Sequence, residues 1–256
     1  MEHRATNNWV MRAWKYLLLP WMVLVTVLAF AWLKDLETFP DPRTARIIIW
    51  HVPMAMLGML WFWVGAFYAS KYLFGKRRGE LALDHRIVHA NSVGLTCTIL
   101  ATVTGSIFAL RQWNTAWNWD PKQVTITVLI VMYVAYFALR AQMSDPQLRG
   151  RISAVYSIMG AFSSIALNYV IPNLPIVISN HPPGSTITGG LDSKWRLVYW
   201  MATFGFLGIT IWMFQLRLRL NLVEDRMALW SDPISTVDEA RTEAVRKARL
   251  EPAAGD

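Results

Sequence analysis

The stretch Ile47-Ile-Ile-Trp-His-Val-Pro-Met-Ala-Met-Leu-Gly-Met-Leu-Trp-Phe-Trp-Val-Gly-Ala-Phe-Tyr-Ala-Ser-Lys-Tyr-Leu-Phe74 decides the fold. It exceeds the roughly 20 apolar residues that a helix needs to cross a bilayer. It also lacks the period-two alternation of outer-membrane strands, so a helix is the only spanning form it suits. Five further runs resemble it: Tyr16–Leu33, Val88–Leu110, Val124–Leu139, Ile152–Ile171 and Trp195–Leu216. The sequence therefore predicts an all-α polytopic membrane protein with six transmembrane helices. A hydrophobic fraction of 54% and a mean hydropathy of +0.29 agree with it.

The first run follows Arg4, Arg12 and Lys15, as a signal peptide would, but it has full spanning length and no small-x-small site before Lys34. It reads as a retained helix. Alternate connectors divide the Lys/Arg residues unevenly. One side holds Arg4, Arg12, Lys15, then Lys71, Lys76, Arg77, Arg78, Arg86, then Arg140, Arg149, Arg151, then Arg217, Arg219, Arg226. The positive-inside rule makes that side cytoplasmic and places both termini there. The formal net charge of +8 is then a matter of topology, and no nucleic-acid partner is implied. Residues 1–220 read as one membrane domain and residues 221–256 as a charged cytoplasmic tail. Within the tail, Val237–Leu250 has helix formers and mixed charges at i, i+4 spacing. Cys97, the single cysteine, lies inside an apolar run and reads as a packing residue.

The outer connectors carry the informative chemistry. Arg111-Gln-Trp-Asn-Thr-Ala-Trp-Asn-Trp-Asp-Pro-Lys-Gln123 sets Trp113, Trp117 and Trp119 beside Asp120 between two apolar runs. Interfacial anchoring accounts for scattered tryptophans such as Trp9, Trp14, Trp32, Trp195 and Trp230. Three indoles in seven residues exceed what anchoring requires. Asp120-Pro-Lys-Gln123 has the pattern of a helix start: Asp at the N-cap, Pro at the first position, and Gln at the third, from where it bonds back to the cap. Arg111 and Lys122 flank the cluster, suited either to snorkelling or to pairing with the carboxylates of an anionic ligand. The longer outer connector Pro172–Ser193 is rich in Pro, Gly, Ser and Thr and contains His181.

Topology separates the five histidines. His3 lies in the amino-terminal tail. His85 and His89 share a helical face at the inner end of the third run, where an interfacial role outweighs a metal site. His51 lies near the outer end of the second run, just before Pro53. It reads either as a satisfied interior histidine or as a ligand. His51, His181 and the three connector tryptophans fall on the same outer side, and two neutral imidazoles with indole faces suit the axial positions and plane of an iron porphyrin. His85 and His89 stand about 30 Å from that leaflet and do not complete such a site.

Trp113-Asn-Thr-Ala-Trp117-Asn-Trp119-Asp120-Pro-Lys-Gln resembles the tryptophan-rich WWD motif of the haem-handling proteins of cytochrome c maturation. With the six spans, Arg46-Ile-Ile-Ile-Trp-His51-Val-Pro53 and His181, the chain resembles the cytochrome c maturation protein C (CcmC) family from Trp14 to about Leu220. The resemblance departs at Asn114, where the family usually has glycine, and at Ala116, where it has an aromatic. It implies that His51 and His181 are axial ligands of haem b, the metal being the haem iron, with Trp113, Trp117, Trp119 and Asp120 forming the platform. It implies a location in the bacterial inner membrane, beside ATP-binding cassette subunits A and B and a small protein D, with transfer of haem to a membrane-anchored chaperone, protein E. The chain has no phosphate-binding G-x-x-x-x-G-K-[ST] loop and is not the ATPase. Two other readings are a haem lyase like the larger CcsA and CcmF proteins, and a non-haem permease or anchor subunit. The scarcity of ionisable residues within the spans weighs against the permease.

Overall fold

The computed structural model describes residues 10–181 and 191–250. His3, Trp9 and the residues from Pro182 to Gly190 lie outside the described set, as do the side chains of Trp230 and most of the tail. Every regular element among the described residues is helical: α1 (Val10–Ala31), α2 (Ile48–Phe74), α3 (Leu81–Trp113), α4 (Pro121–Ala141), α5 (Pro146–Ile165) and α6 (Ser193–Leu250). Six helices are long and apolar enough to cross a membrane, which makes this a multi-pass membrane protein. Two compact units are distinguished, Met1–Phe214 and Gln215–Asp256. In the second, Val237–Leu250 is helical.

The exposed faces are apolar. Tyr16, Leu19 and Phe30 on α1 are 81%, 74% and 66% exposed, a pattern stable against hydrocarbon and unstable against water. The packed centre is α2, which lies against both α3 and α5. Gly58 and Gly94 let α2 and α3 approach closely: a Cβ on Gly94 would stand 2.6 Å from the Phe62 ring, and one on Gly58 would stand 2.6 Å from Thr98 Oγ1. Small residues serve this purpose in membranes, where close van der Waals contact replaces the hydrophobic drive. Cys97 is buried in the same cluster, among Leu57, Trp61 and Ala90, as a packing residue.

Helix ends depart from the apolar runs. α3 extends beyond Val88–Leu110 at both ends and ends on Trp113 itself, so the first indole of the connector is helical. Its length of 33 residues corresponds to about 50 Å, so its ends stand beyond the hydrocarbon. At the end away from the connector, Asp84 of α3 is buried and pairs with the half-buried Arg140 of α4. Arg140 Nη1 donates to Asp84 Oδ1 at 2.7 Å and to Ser153 Oγ at 2.8 Å, and Nη2 donates to Asp84 Oδ2. The helices thus contain an ion pair that a count of ionisable residues along the apolar runs overlooks. His85 and His89 lie on α3 with ring centroids 6.4 Å apart.

At the connector end, Arg46 ties α1 to α2. Its Nε donates to Ala29 O and its Nη2 to Leu33 O, both at 2.9 Å, while Nη1 meets Asp35 Oδ1 at 2.6 Å. Carbonyls in the last turn of a helix have no intrahelical donor, and the 12% exposed guanidinium supplies one. Trp195 is 1% exposed and packs with Val25, Ala29, Leu33 and Ile49, its indole N–H donating to Lys34 O at 3.2 Å. It is a core residue and not a belt anchor, because the apolar ends of α1, α2 and α6 converge on it. Trp32, by contrast, is 40% exposed, with Lys194 Nζ 5.2 Å from its ring. Arg46→Ala is expected to cost about 2–3 kcal/mol, the scale for removing a charged donor from buried acceptors. Melting in detergent, followed by tryptophan fluorescence, measures it.

Candidate functional site

Asp120 organises the connector end. It caps α4, its Oδ1 accepting from Lys122 N at 2.9 Å, with Pro121 in the first helical position. Gln123 does not bond back to the cap. Its Oε1 accepts from Asn118 N at 3.1 Å and its Nε2 donates to Ala116 O at 3.3 Å. The cap N–H donates instead to Asn118 Oδ1 at 3.2 Å. The connector is therefore short and internally bonded, and Gln123 tethers its middle.

Two of its residues have left-handed backbone: Asn114, φ 56°, which ends α3, and Trp119, φ 58°. Asparagine is, after glycine, the residue most often found at such a helix stop, so Asn114 suits the left-handed turn that ends α3. For a tryptophan the same conformation is strained. It leaves the Trp119 indole outside, 76% exposed, in an edge-to-face contact with Trp117 at 5.9 Å. Behind the connector, Gln112 of α3 is buried and donates from Nε2 to Asp41 O at 2.9 Å, while its Oε1 accepts from Asp41 N at 3.1 Å. These two bonds fix the connector between α1 and α2 against the end of α3.

The cap carboxylate has a second task that chain-local reading misses. From 59 to 61 residues away, Ser179 Oγ donates to both Asp120 oxygens (3.1 and 2.9 Å), Asn180 N to Oδ2 at 2.7 Å, and His181 Nδ1 to Oδ1 at 2.9 Å. The segment that reaches it leaves α5 through a π-helical turn, Ala166–Val170, and a short 3-10 turn, Ile171–Asn173. π turns are rare and gather at functional sites. The His181 ring also meets the Trp113 ring edge to face at 5.2 Å, and Trp113 in turn meets Phe108 at 5.8 Å. Trp113 thus props the histidine as well as lining the site.

Burial lowers the His181 pKa from its ordinary value, against the opposing pull of Asp120. For Asp120, burial works upward, but the His181 charge, the Lys122 and Asn180 N–H groups and the Ser179 hydroxyl outweigh it and hold the carboxyl below its ordinary range. At neutral pH the pair is a carboxylate accepting a hydrogen bond from a neutral imidazole. An ionised carboxylate only accepts. The proton of His181 is consequently on Nδ1, and Nε2 carries the lone pair.

His51 reaches the same state by other means. It sits in the first turns of α2, and its Nδ1 lies 2.9 Å from Ala101 O and 3.3 Å from Thr104 Oγ1 on α3. A carbonyl also only accepts, so His51 is protonated on Nδ1 with its Nε2 lone pair available. The ring lies across Gly105: a Cβ there would stand 2.7 Å from His51 Cε1 and 3.2 Å from Nδ1. Gly105 precedes Trp113 by eight residues, or about 12 Å along the helix, so the two imidazoles attach to the same last turns of α3 at different depths. The sequence reading named both histidines; Ala101, Thr104, Gly105, Ser179 and Asn180 gave it no signal, being small residues whose importance lies in contacts far along the chain.

Fold and site together define a polytopic helical membrane protein with two neutral histidines, each protonated on Nδ1, beside a rigid tryptophan connector. The profile of CcmC, described as heme exporter protein C, matches residues 2–230, and the chain belongs to that family. Over 228 residues it is 27% identical to the heme exporter protein C of Rhodobacter capsulatus, covering 82% of this chain and 91% of that one. Over 222 residues it is 26% identical to the heme exporter protein C of Escherichia coli K12, covering 83% and 87%. A shorter likeness, 30% identity over 103 residues, covers 40% of this chain and 30% of the cytochrome c biogenesis protein CcsA of Spinacia oleracea.

Proposed function

We propose that the chain binds haem b at the outer face of a bacterial inner membrane, as the membrane subunit of a haem exporter. There it presents the haem to the chaperone protein E for cytochrome c maturation, together with ABC subunits A and B and the small protein D. Two histidines whose Nδ1 protons are fixed by obligate acceptors, and whose Nε2 lone pairs are thereby the ligating nitrogens, carry this reading. A histidine that donates its other N–H to a carbonyl or carboxylate is the usual form of a metal ligand, and a bis-imidazole set suits haem iron. The donor set fits. His51 supplies the deeper nitrogen from a helix and His181 the outer one from the connector.

The surroundings suit a flat, apolar, doubly anionic molecule. Trp119, and Ile176 and Ile178 of the segment that leads to His181, are apolar and exposed, 76%, 88% and 93%. Lys122 and Arg111 supply charge for the propionates. His51 and His181 would hold the cargo through their Nε2 nitrogens, and the haem iron would supply the coordination bonds. The chain's own contribution is to orient the two imidazoles, keep them neutral and leave one face open toward a partner.

The purified full-length protein mixed with hemin is expected to give a sharp Soret band and, after reduction, the α and β bands of six-coordinate low-spin haem. A spectrum identical to free hemin in the same detergent overturns the reading. Gly105→Ala places a methyl group where the His51 ring lies. It is expected to weaken haem binding about 10–100-fold, the range for disturbing the support of a metal-ligating histidine, with unchanged helix content by circular dichroism.

A further inference from the structure

The two imidazoles have unequal partners. His51 Nδ1 donates to the neutral carbonyl of Ala101, at 2.9 Å, whereas His181 Nδ1 donates at the same distance to a carboxylate whose side chain is only 1% exposed. A carboxylate that accepts the Nδ1 proton pushes electron density toward Nε2 and makes the ring a stronger donor; a carbonyl does so far less. Hydrogen bonding around an axial ligand is one of the means by which a protein sets a haem potential.

We propose that Asp120 is a positioning and tuning residue: it latches the Ser179–His181 segment over the connector and makes His181 the stronger axial donor, biasing haem held there toward the ferric state. This rests on the haem-binding reading and adds to it which oxidation state the site favours and which residue sets that preference. The equilibrium concerned is the uptake of one electron by ferric iron from a redox mediator, with no bond to the protein made or broken. A stronger donor stabilises the more highly charged iron, so the potential falls.

Ser179 tests the idea from the opposite side, its Oγ also accepting from His181 N at 3.1 Å. Its hydroxyl donates to both oxygens of Asp120 and so draws charge away from the bond to His181. Asp120→Asn removes the charge and weakens the donor; Ser179→Ala removes a competing donor and strengthens it. The two variants are expected to move the potential in opposite directions.

The test is a mediator titration of the full-length protein in detergent, loaded with hemin and followed at the Soret band, alongside hemin affinity. Asp120→Asn is expected to raise the potential relative to wild type and to weaken ferric-haem binding about 10–100-fold; Ser179→Ala is expected to lower the potential. Shifts of the same sign, or wild-type potentials in both, overturn the proposal. If Asp120→Asn fails to fold, Ser179→Ala decides: a lower potential supports the proposal, and an unchanged or higher one overturns it. A wild-type protein that takes up no hemin overturns the parent reading and this inference together, and shows it before any variant is measured.

Discussion

Alanine at both His51 and His181 is expected to abolish the Soret band of the hemin-loaded protein, and each single replacement is expected to weaken binding by about 100-fold or more. Each loss removes a coordination bond, a larger change than disturbing the partner of a ligand, for which 10–100-fold is usual. The fold should survive both changes. His181→Ala leaves Asp120 with Ser179 Oγ and the Asn180 and Lys122 N–H groups as donors, and His51→Ala leaves Ala101 O in its helix. The single variants should differ in rescue. His181 lies at the protein surface, its side chain 25% exposed, so added imidazole has access to its place and should restore the six-coordinate spectrum. His51 is enclosed between α2 and α3, with Gly105 beneath its ring, and rescue there should be weaker. An unaltered haem content and spectrum in the double variant refutes the ligand assignment.

The six helices were legible because a bilayer imposes a length that appears as unbroken apolar runs. The helix start at Asp120 was legible because N-cap, Pro and the following turn are neighbours in the chain. His51 and His181 stood out as histidines next to or between the apolar runs of an apolar protein. Their tautomers did not, since these depend on Ala101 and Asp120, 50 and 61 residues away. The back-bond expected of Gln123 fails because the connector offers the amide two closer tasks, at Asn118 N and Ala116 O. Trp195 resembles an interfacial anchor in sequence, at the edge of a span, yet the converging ends of α1 and α2 bury it. α3 exceeds its apolar run because hydropathy marks the hydrocarbon, while backbone hydrogen bonding continues past it to Trp113.

Asp84→Ala and Arg140→Ala, taken singly, are each expected to destabilise the protein by about 3–5 kcal/mol, the cost of leaving one member of a buried ion pair without the other. The pair is nearly sealed, with side chains 3% and 13% exposed, and the guanidinium also donates to Ser153 of α5. It therefore joins three helices, α3, α4 and α5, at the end of the protein opposite His51 and His181. Burying an ion pair is itself costly, and its replacement by apolar groups of similar volume is often neutral or stabilising. The double variant Asp84→Leu/Arg140→Met should consequently recover most of what either alanine loses, when yield after detergent extraction and melting temperature are compared. Hemin affinity gives the complementary readout. The pair touches none of the groups that hold His51 or His181, so any protein that remains folded should bind hemin as the wild type does. If the double variant is stable but binds hemin poorly, the two ends of the bundle are coupled through α3, the helix that carries Asp84 in its first turn and Trp113 in its last.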